Sequence, residues 1–281
     1  MNQEPGHARH PSTALRFPRL LLTGAAGGLG RELRPRLQRY CEILRLSDVA
    51  PLVPPQAASG EEIRPCALED ADAMMQLLEG VQAVVHLGGV STEQPWAPIL
   101  AANVMGMVNL YEAARKQGTR RIVFASSNHV MGFYRQDEVV DALSPPRPDG
   151  FYGLSKAFGE DVAQMYWDRW GIETVSVRIG SSYPEPKDRR MLSTWLSYDD
   201  LERLVVAALS APVVGHSIIY GTSDNSSSWY DNRLARHLGY RPRDSSDPYR
   251  ATVEARQPHL DLQDPATLHQ GGAFVKTAPQ G

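Results

Sequence analysis

Between Arg19 and Leu37 the chain passes from an apolar run, Leu20-Leu21-Leu22-Thr23, through a glycine turn, Gly24-Ala25-Ala26-Gly27-Gly28-Leu29-Gly30, into a segment with helical apolar spacing. No other stretch of the 281 residues limits the fold as tightly. A buried strand that turns on glycines directly into a helix is the opening unit of a parallel α/β sheet. Glycines let the backbone approach a pyrophosphate, and the free N–H groups of the helix start supply the complementary charge. The spacing is G-x-x-G-x-x-G, at Gly24, Gly27 and Gly30, not G-x-G-x-x-G, yet it occupies the same strand-turn-helix context. The turn therefore reads as a dinucleotide site.

A second strand over 42–47 ends at Asp48, where a carboxylate accepts hydrogen bonds from ribose hydroxyls and repels a 2′-phosphate. That favours NAD over NADP; the plainer alternative is an Asp in a turn before Pro51. Further strands are expected over 63–66, 83–87, 121–125, 174–179 and 217–220. Helices are expected over 71–78, 99–114, 152–170 and from 198 to about 211. The alternation predicts a Rossmann-type, doubly wound parallel sheet of the α/β class. Its division is expected as an N-terminal extension over 1–18, a dinucleotide-binding domain over 19–182, and a small C-terminal substrate lobe over 183–281 from which a late strand and helix return to the core.

Ligands of such sheets sit at the carboxyl ends of the strands, where the glycine turn, Gly88-Gly89-Val90-Ser91 and Ser126-Ser127 all fall. Downstream, Tyr152 and Lys156 are four apart and project from one helix face. An ammonium held near a phenol favours the phenolate, so the pair can exchange a proton near neutrality. Such a pair also occurs on ordinary amphipathic helices; here it follows a glycine turn and a serine-rich strand end. His86 reads as a core-edge histidine, and the stripe Phe158, Val162, Met165 and Tyr166 as core packing.

A formal charge of -3 and a pI near 6.2 leave no basic stripe for nucleic acid or an anionic membrane. Cys41 and Cys66 have no metal-type spacing and read as reduced structural thiols, which fits a cytoplasmic protein without a metal. No apolar run reaches the length of a membrane span, and the first 18 residues lack the apolar centre of a secretory signal.

With these elements assembled, the chain resembles the extended short-chain dehydrogenase/reductase superfamily over roughly residues 20–275. Within it the wording is similar to the uronate dehydrogenases at Ser126-Ser127-Asn128-His129, Arg147-Pro148-Asp149-Gly150-Phe151-Tyr152-Gly153, Arg178-Ile179-Gly180-Ser181 and Arg190-Met191-Leu192-Ser193-Thr194-Trp195. The resemblance implies a catalytic set of Ser127, Tyr152 and Lys156, with Tyr152 as acid/base. It implies cofactor contacts at Gly24, Gly27, Gly28, Leu29, Gly30, Asp48, Leu68, Leu87, Gly88, Gly89, Asn103, Tyr152 and Lys156. Ser91, Ser127, Asn128, His129 and Ser181 would contact the sugar, and Arg190 would hold its carboxylate; alternatively Arg190 is a solvated charge beside Arg189. The implied reaction is NAD-dependent oxidation of a hexuronic acid at C1 to the aldarolactone, by a homo-oligomer. Two other readings stay open: a nucleotide-sugar epimerase or dehydratase, and a non-catalytic NAD-binding redox sensor. Two departures stand out: Ala67 replaces the acid expected before Leu68, and Met131 stands where the superfamily often has Tyr.

Overall fold

The computed structural model describes residues 16–55 and 59–279. Seven parallel strands form one sheet: β1 (Phe17–Thr23), β2 (Cys41–Ser47), β3 (Glu61–Ile63), β4 (Ala83–His86), β5 (Arg121–Ser127), β6 (Glu173–Ile179) and β7 (His216–Gly221). Their spatial order is β7-β6-β5-β4-β1-β2-β3, so the winding direction reverses between β1 and β4. The principal helices are α1 (Gly28–Leu37), α2 (Ala71–Leu77), α3 (Trp96–Ile99 and Gly106–Gln117, joined by a π-helical stretch over Leu100–Met105), α4 (Phe151–Trp170) and α5 (Tyr198–Ser210). Among the described residues, no helix is long and apolar enough to cross a membrane.

Successive strand residues point to opposite faces, and the apolar runs divide accordingly. Leu20, Leu22, Ala83, Val85 and Val123 pack with α1 and α5, including Leu33, Leu37, Leu201 and Leu204. Leu21, Val84, Ile122 and Phe124 pack on the other face with α2, α3 and α4, including Met74, Leu110, Tyr111 and Tyr166. Both late elements, β7 and α5, join this frame.

Several boundaries differ from the sequence reading. Of the N-terminal extension expected over 1–18, residues 1–15 lie outside the described residues, while Phe17 and Pro18 belong to β1, with Phe17 opposite Cys41. The third strand lies over Glu61–Ile63, not 63–66. It is an edge strand paired only with β2; its ladder ends where the Arg64 amide donates to Leu46, because Pro65 has no N–H to continue it. Helix α3 begins at Trp96, ahead of the expected Ile99, because its first turn is largely outside the core and shows no periodicity. Met165 is 43% exposed and not core, since it lies a residue off the buried stripe that ends at Tyr166.

His86, opposite Thr23 in the β1–β4 pair, lies wholly within this frame. Its Nδ1 is 2.7 Å from Thr23 Oγ1, and the same hydroxyl accepts the Gly88 amide at 3.1 Å. Burial, helped by the charge of Lys156, lowers its pKa from 6.5 to about 3. The unfolded chain takes up this proton first, so stability is full above 6.5 and falls as pH drops towards 3, by about 1.4 kcal/mol per pH unit. Urea unfolding at pH 7 and pH 5 should therefore show His86→Asn losing about 2 kcal/mol less than the wild type across that interval.

Candidate active site

The carboxyl ends of the strands open into a cavity of about 970 Å³, at the place where the winding reverses. One half is backbone. Gly24 has φ +67°, and a Cβ there would lie 2.6 Å from the Leu87 carbonyl carbon, so only glycine lets β1 turn against the end of β4. A Cβ at Gly30 would lie 2.2 Å from the Gly24 oxygen, whereas one at Gly28 meets no atom within 4 Å. The turn is thus tightly folded on its inner side and open towards the cavity, a cradle with room for a pyrophosphate at the start of α1. Asp48 Oδ2 accepts the Ala26 amide and Oδ1 the Ala50 amide, both at 2.9 Å, which fixes the carboxylate on the cavity rim. Leu29, Leu68, Leu87, Gly88 and Gly89 line the same half, and the Leu68 carbonyl is held by Asn109 at 3.0 Å.

Asn103 does not reach the wall. Its amide accepts from Val90 N at 2.8 Å and donates to Val90 O at 3.0 Å and Ser155 Oγ at 2.9 Å. It ties the loop after β4 to α4 and bears on the cavity only through that loop.

The second wall is helix α4. Gly150, at its N-cap, has no side chain, and a Cβ there would sit 2.4 Å from Glu93 Oε2. Glu93 supplies the cap from outside the helix, accepting the Phe151 and Tyr152 amides at 2.9 Å each. Tyr152 and Lys156 are 8% and 5% exposed, and Lys156 Nζ lies 5.1 Å from the Phe124 ring centroid and 5.7 Å from that of Tyr152. Burial lowers the Lys156 pKa from 10.5 to about 8. Burial is also the largest influence on Tyr152 and raises its pKa; a hydrogen bond with Ser127 opposes this, and Asp149 adds to it. The balance of these influences leaves the phenol protonated.

The remaining wall collects Ser91, Asn128, His129, Ser181 and Arg190, all at the cavity. Arg190 Nε donates to Gln270 O at 2.5 Å and Nη1 to Ser181 Oγ at 3.4 Å, while Nη2 is buried without a partner. Arg189 turns away, bonding the Gln257 carbonyl at 2.7 Å. Sequence reasoning missed three contributors: Glu93, Asp149 as the partner of His129, and Phe274, whose ring stacks on His129 at 3.9 Å between centroids. Phe274 lies in a 3-10 turn over Gly272–Lys276 that has no periodicity to reveal it. A lone aromatic in a glycine-rich tail was the available signal.

If Glu93 caps α4 as drawn, Glu93→Ala should lower stability in urea unfolding by about 1 kcal/mol, and Glu93→Gln by less, because one acceptor oxygen remains. Equal losses in the two variants would contradict this role.

Residues 20–214 match the model of the NAD dependent epimerase/dehydratase family. The uronate dehydrogenase of Pseudomonas putida is 58% identical over 267 residues, covering 95% of this chain and 99% of the relative. The solved glucuronic acid dehydrogenase of Chromohalobacter salexigens superposes with a TM-score of 0.91 at 48% identity, covering 93% of this chain and 98% of that one. A mutant uronate dehydrogenase of Agrobacterium tumefaciens, solved in complex with NAD, superposes with a TM-score of 0.90 at 47% identity, covering 94% and 98%. The chain belongs to the NAD dependent epimerase/dehydratase family and, within it, to the uronate dehydrogenases.

Proposed function

We propose that the protein oxidises D-glucuronate and D-galacturonate at C1 to the corresponding aldarolactones, with NAD as acceptor. The observation that carries this reading is Arg190: a guanidinium at the wall of the cavity that the glycine turn also lines, with one buried nitrogen that has no partner among the described residues. A planar carboxylate satisfies such a nitrogen with a charge-assisted bond, and a neutral sugar does so far less well. The names of the relatives, which refer to uronate and glucuronic acid, agree with it.

Gly24, Gly27, Gly28 and Gly30 would hold the pyrophosphate, and Asp48 the adenosine ribose, where its charge disfavours a 2′-phosphate. NAD, when bound, would supply the hydride acceptor. Ser127 and Tyr152 hold the C1 hydroxyl between them, and Tyr152 takes its proton as the lactone carbonyl forms. Lys156, charged at neutral pH in a dry environment, favours the phenolate more strongly than an exposed lysine would. Arg190 holds the carboxylate and so sets the position of C1.

NADH absorbance should rise with glucuronate and galacturonate and stay flat with glucose and UDP-glucose; equal rates with glucose would overturn the reading. Tyr152→Phe should bind NAD as the wild type does and lose at least about a hundredfold in kcat, since only the titrating hydroxyl is removed. Arg190→Ala removes a contact worth on the order of 1.5–3 kcal/mol and should raise KM for uronates by roughly tenfold to a hundredfold. Arg190→Lys should recover part of this, and Arg189→Ala should leave KM unchanged.

A further inference from the structure

His129 stands at the cavity with one ring nitrogen already committed. Its Nδ1 lies 2.6 Å from Asp149 Oδ2, and the Asp149 side chain is 0% exposed. The space for that carboxylate is made by two glycines from separate parts of the chain: a Cβ at Gly132 would fall 2.0 Å from Oδ2, and one at Gly271 2.1 Å from it. The Asp149 amide also donates to the His129 carbonyl at 3.4 Å. The imidazole is clamped between Phe274, stacked at 3.9 Å, and Tyr152, edge-on at 5.9 Å between centroids. It has no room to turn over.

This arrangement fixes a proton. An ionised carboxylate has none to give, so the short contact needs hydrogen on Nδ1, and a neutral imidazole carries only one. Nε2, which among the described residues has no hydrogen-bond partner, is then left as an acceptor. The groups facing the ring are Asp149 and Glu93, which favour the imidazolium, Arg190, which opposes it, and Tyr152. Burial outweighs all of these, and the net shift is downward.

We propose that Asp149 is a positioning residue that locks His129 in the Nδ1–H tautomer, so that Nε2 accepts a hydrogen bond from one ring hydroxyl of the sugar and selects for it. The identity of the ligand as a uronate rests on the function proposed above; the tautomer does not. A site built to accept from a hydroxyl rejects the analogue lacking it, because its buried acceptor is left unpaired. Asn at 149 presents an amide that donates to Nδ1, which moves the ring proton to Nε2 and turns the acceptor into a second donor.

The test has two arms. In the first, ¹⁵N spectra of histidine-labelled enzyme at neutral pH, with His129 assigned by its loss in His129→Gln, should show protonated Nδ1 and bare Nε2 in the wild type. Asp149→Asn should show the reverse. This arm needs no substrate, so an absence of uronate turnover would defeat the functional reading and leave the tautomer result standing. Wild-type Nε2–H or imidazolium overturns the proposal even if Asp149→Asn fails to fold. In the second arm, the monodeoxy analogues of glucuronate are compared one hydroxyl at a time. The wild type should disfavour one of them on the order of tenfold or more in KM, and Asp149→Asn should raise KM for glucuronate by a similar factor while losing that discrimination. A fall in kcat at unchanged KM, or undiminished discrimination in Asp149→Asn, refutes the acceptor role.

Discussion

The site is set by an ion pair beneath it. Glu160 and Arg178 face each other in a double contact, Nη2 to Oε2 at 2.7 Å and Nε to Oε1 at 3.0 Å, with side chains almost fully buried. Ser126 at the end of β5 donates to the same carboxylate at 2.5 Å, and Arg178 reaches Tyr220 Oη on β7 at 2.9 Å. Helix α4 is thereby keyed to three strands at once. Tyr152, Lys156 and Glu160 follow at intervals of four on one helix face, so the anchor that holds Glu160 also fixes how far Tyr152 extends beyond the strand ends. Tyr220 in turn stacks on Tyr230 at 4.4 Å, and Tyr230 Oη accepts from Asn128 at 3.3 Å, which carries the same constraint to the cavity wall around Asn128. Such a pair contributes little net stability against an apolar replacement, yet removal of one partner strands a buried charge and costs several kcal/mol. Its effect is to permit one register of helix on sheet.

Within the cavity, burial outweighs charge. It raises Tyr152, lowers Lys156 to about 8 and lowers His129 against the pull of Asp149. All three shifts favour the neutral form, as expected of side chains this deeply buried. A Lys156 that titrates near 8 is still mostly charged at neutral pH, with its Nζ 5.7 Å from the Tyr152 ring centroid. Burial holds the Tyr152 phenol in its neutral form.

The parts of this design that could be read from sequence are those encoded locally. The strand-turn-helix around Gly24, the alternation of apolar runs with helical spacing, and the Tyr152–Lys156 interval each need fewer than twenty residues of context, and each is where it was expected. Signals failed where the physics is not local. Strand β3 is a three-residue edge with one neighbour, too short to show alternation. Asn103 sits at helical spacing near the cofactor half, but whether its amide faces the cavity or the Val90 backbone is decided by a loop that no periodicity describes. The cap on α4 comes from Glu93, and the aromatic on His129 comes from Phe274 near the other end of the chain. A carboxylate and a ring in irregular segments have no pattern to betray them.

The C-terminal segment reaches into the cavity that the sheet and α4 form. Gln270 is fully buried and donates its side-chain amide to Arg135 O at 3.0 Å and Glu138 O at 2.9 Å, while its own carbonyl accepts from Arg190. Its neighbour Gly271 donates to Gly132 O at 2.8 Å and leaves the space that Asp149 fills. Three residues further on, Phe274 closes over His129. Residues 270–274 thus orient the guanidinium, line the buried carboxylate and pin the imidazole, whereas the glycine turn and α4 form the other walls of the cavity. Neither part holds a complete site. The far wall of the cavity is thus held by a segment with little regular structure, tied in through hydrogen bonds to the backbone of residues 132–138 and not through the sheet.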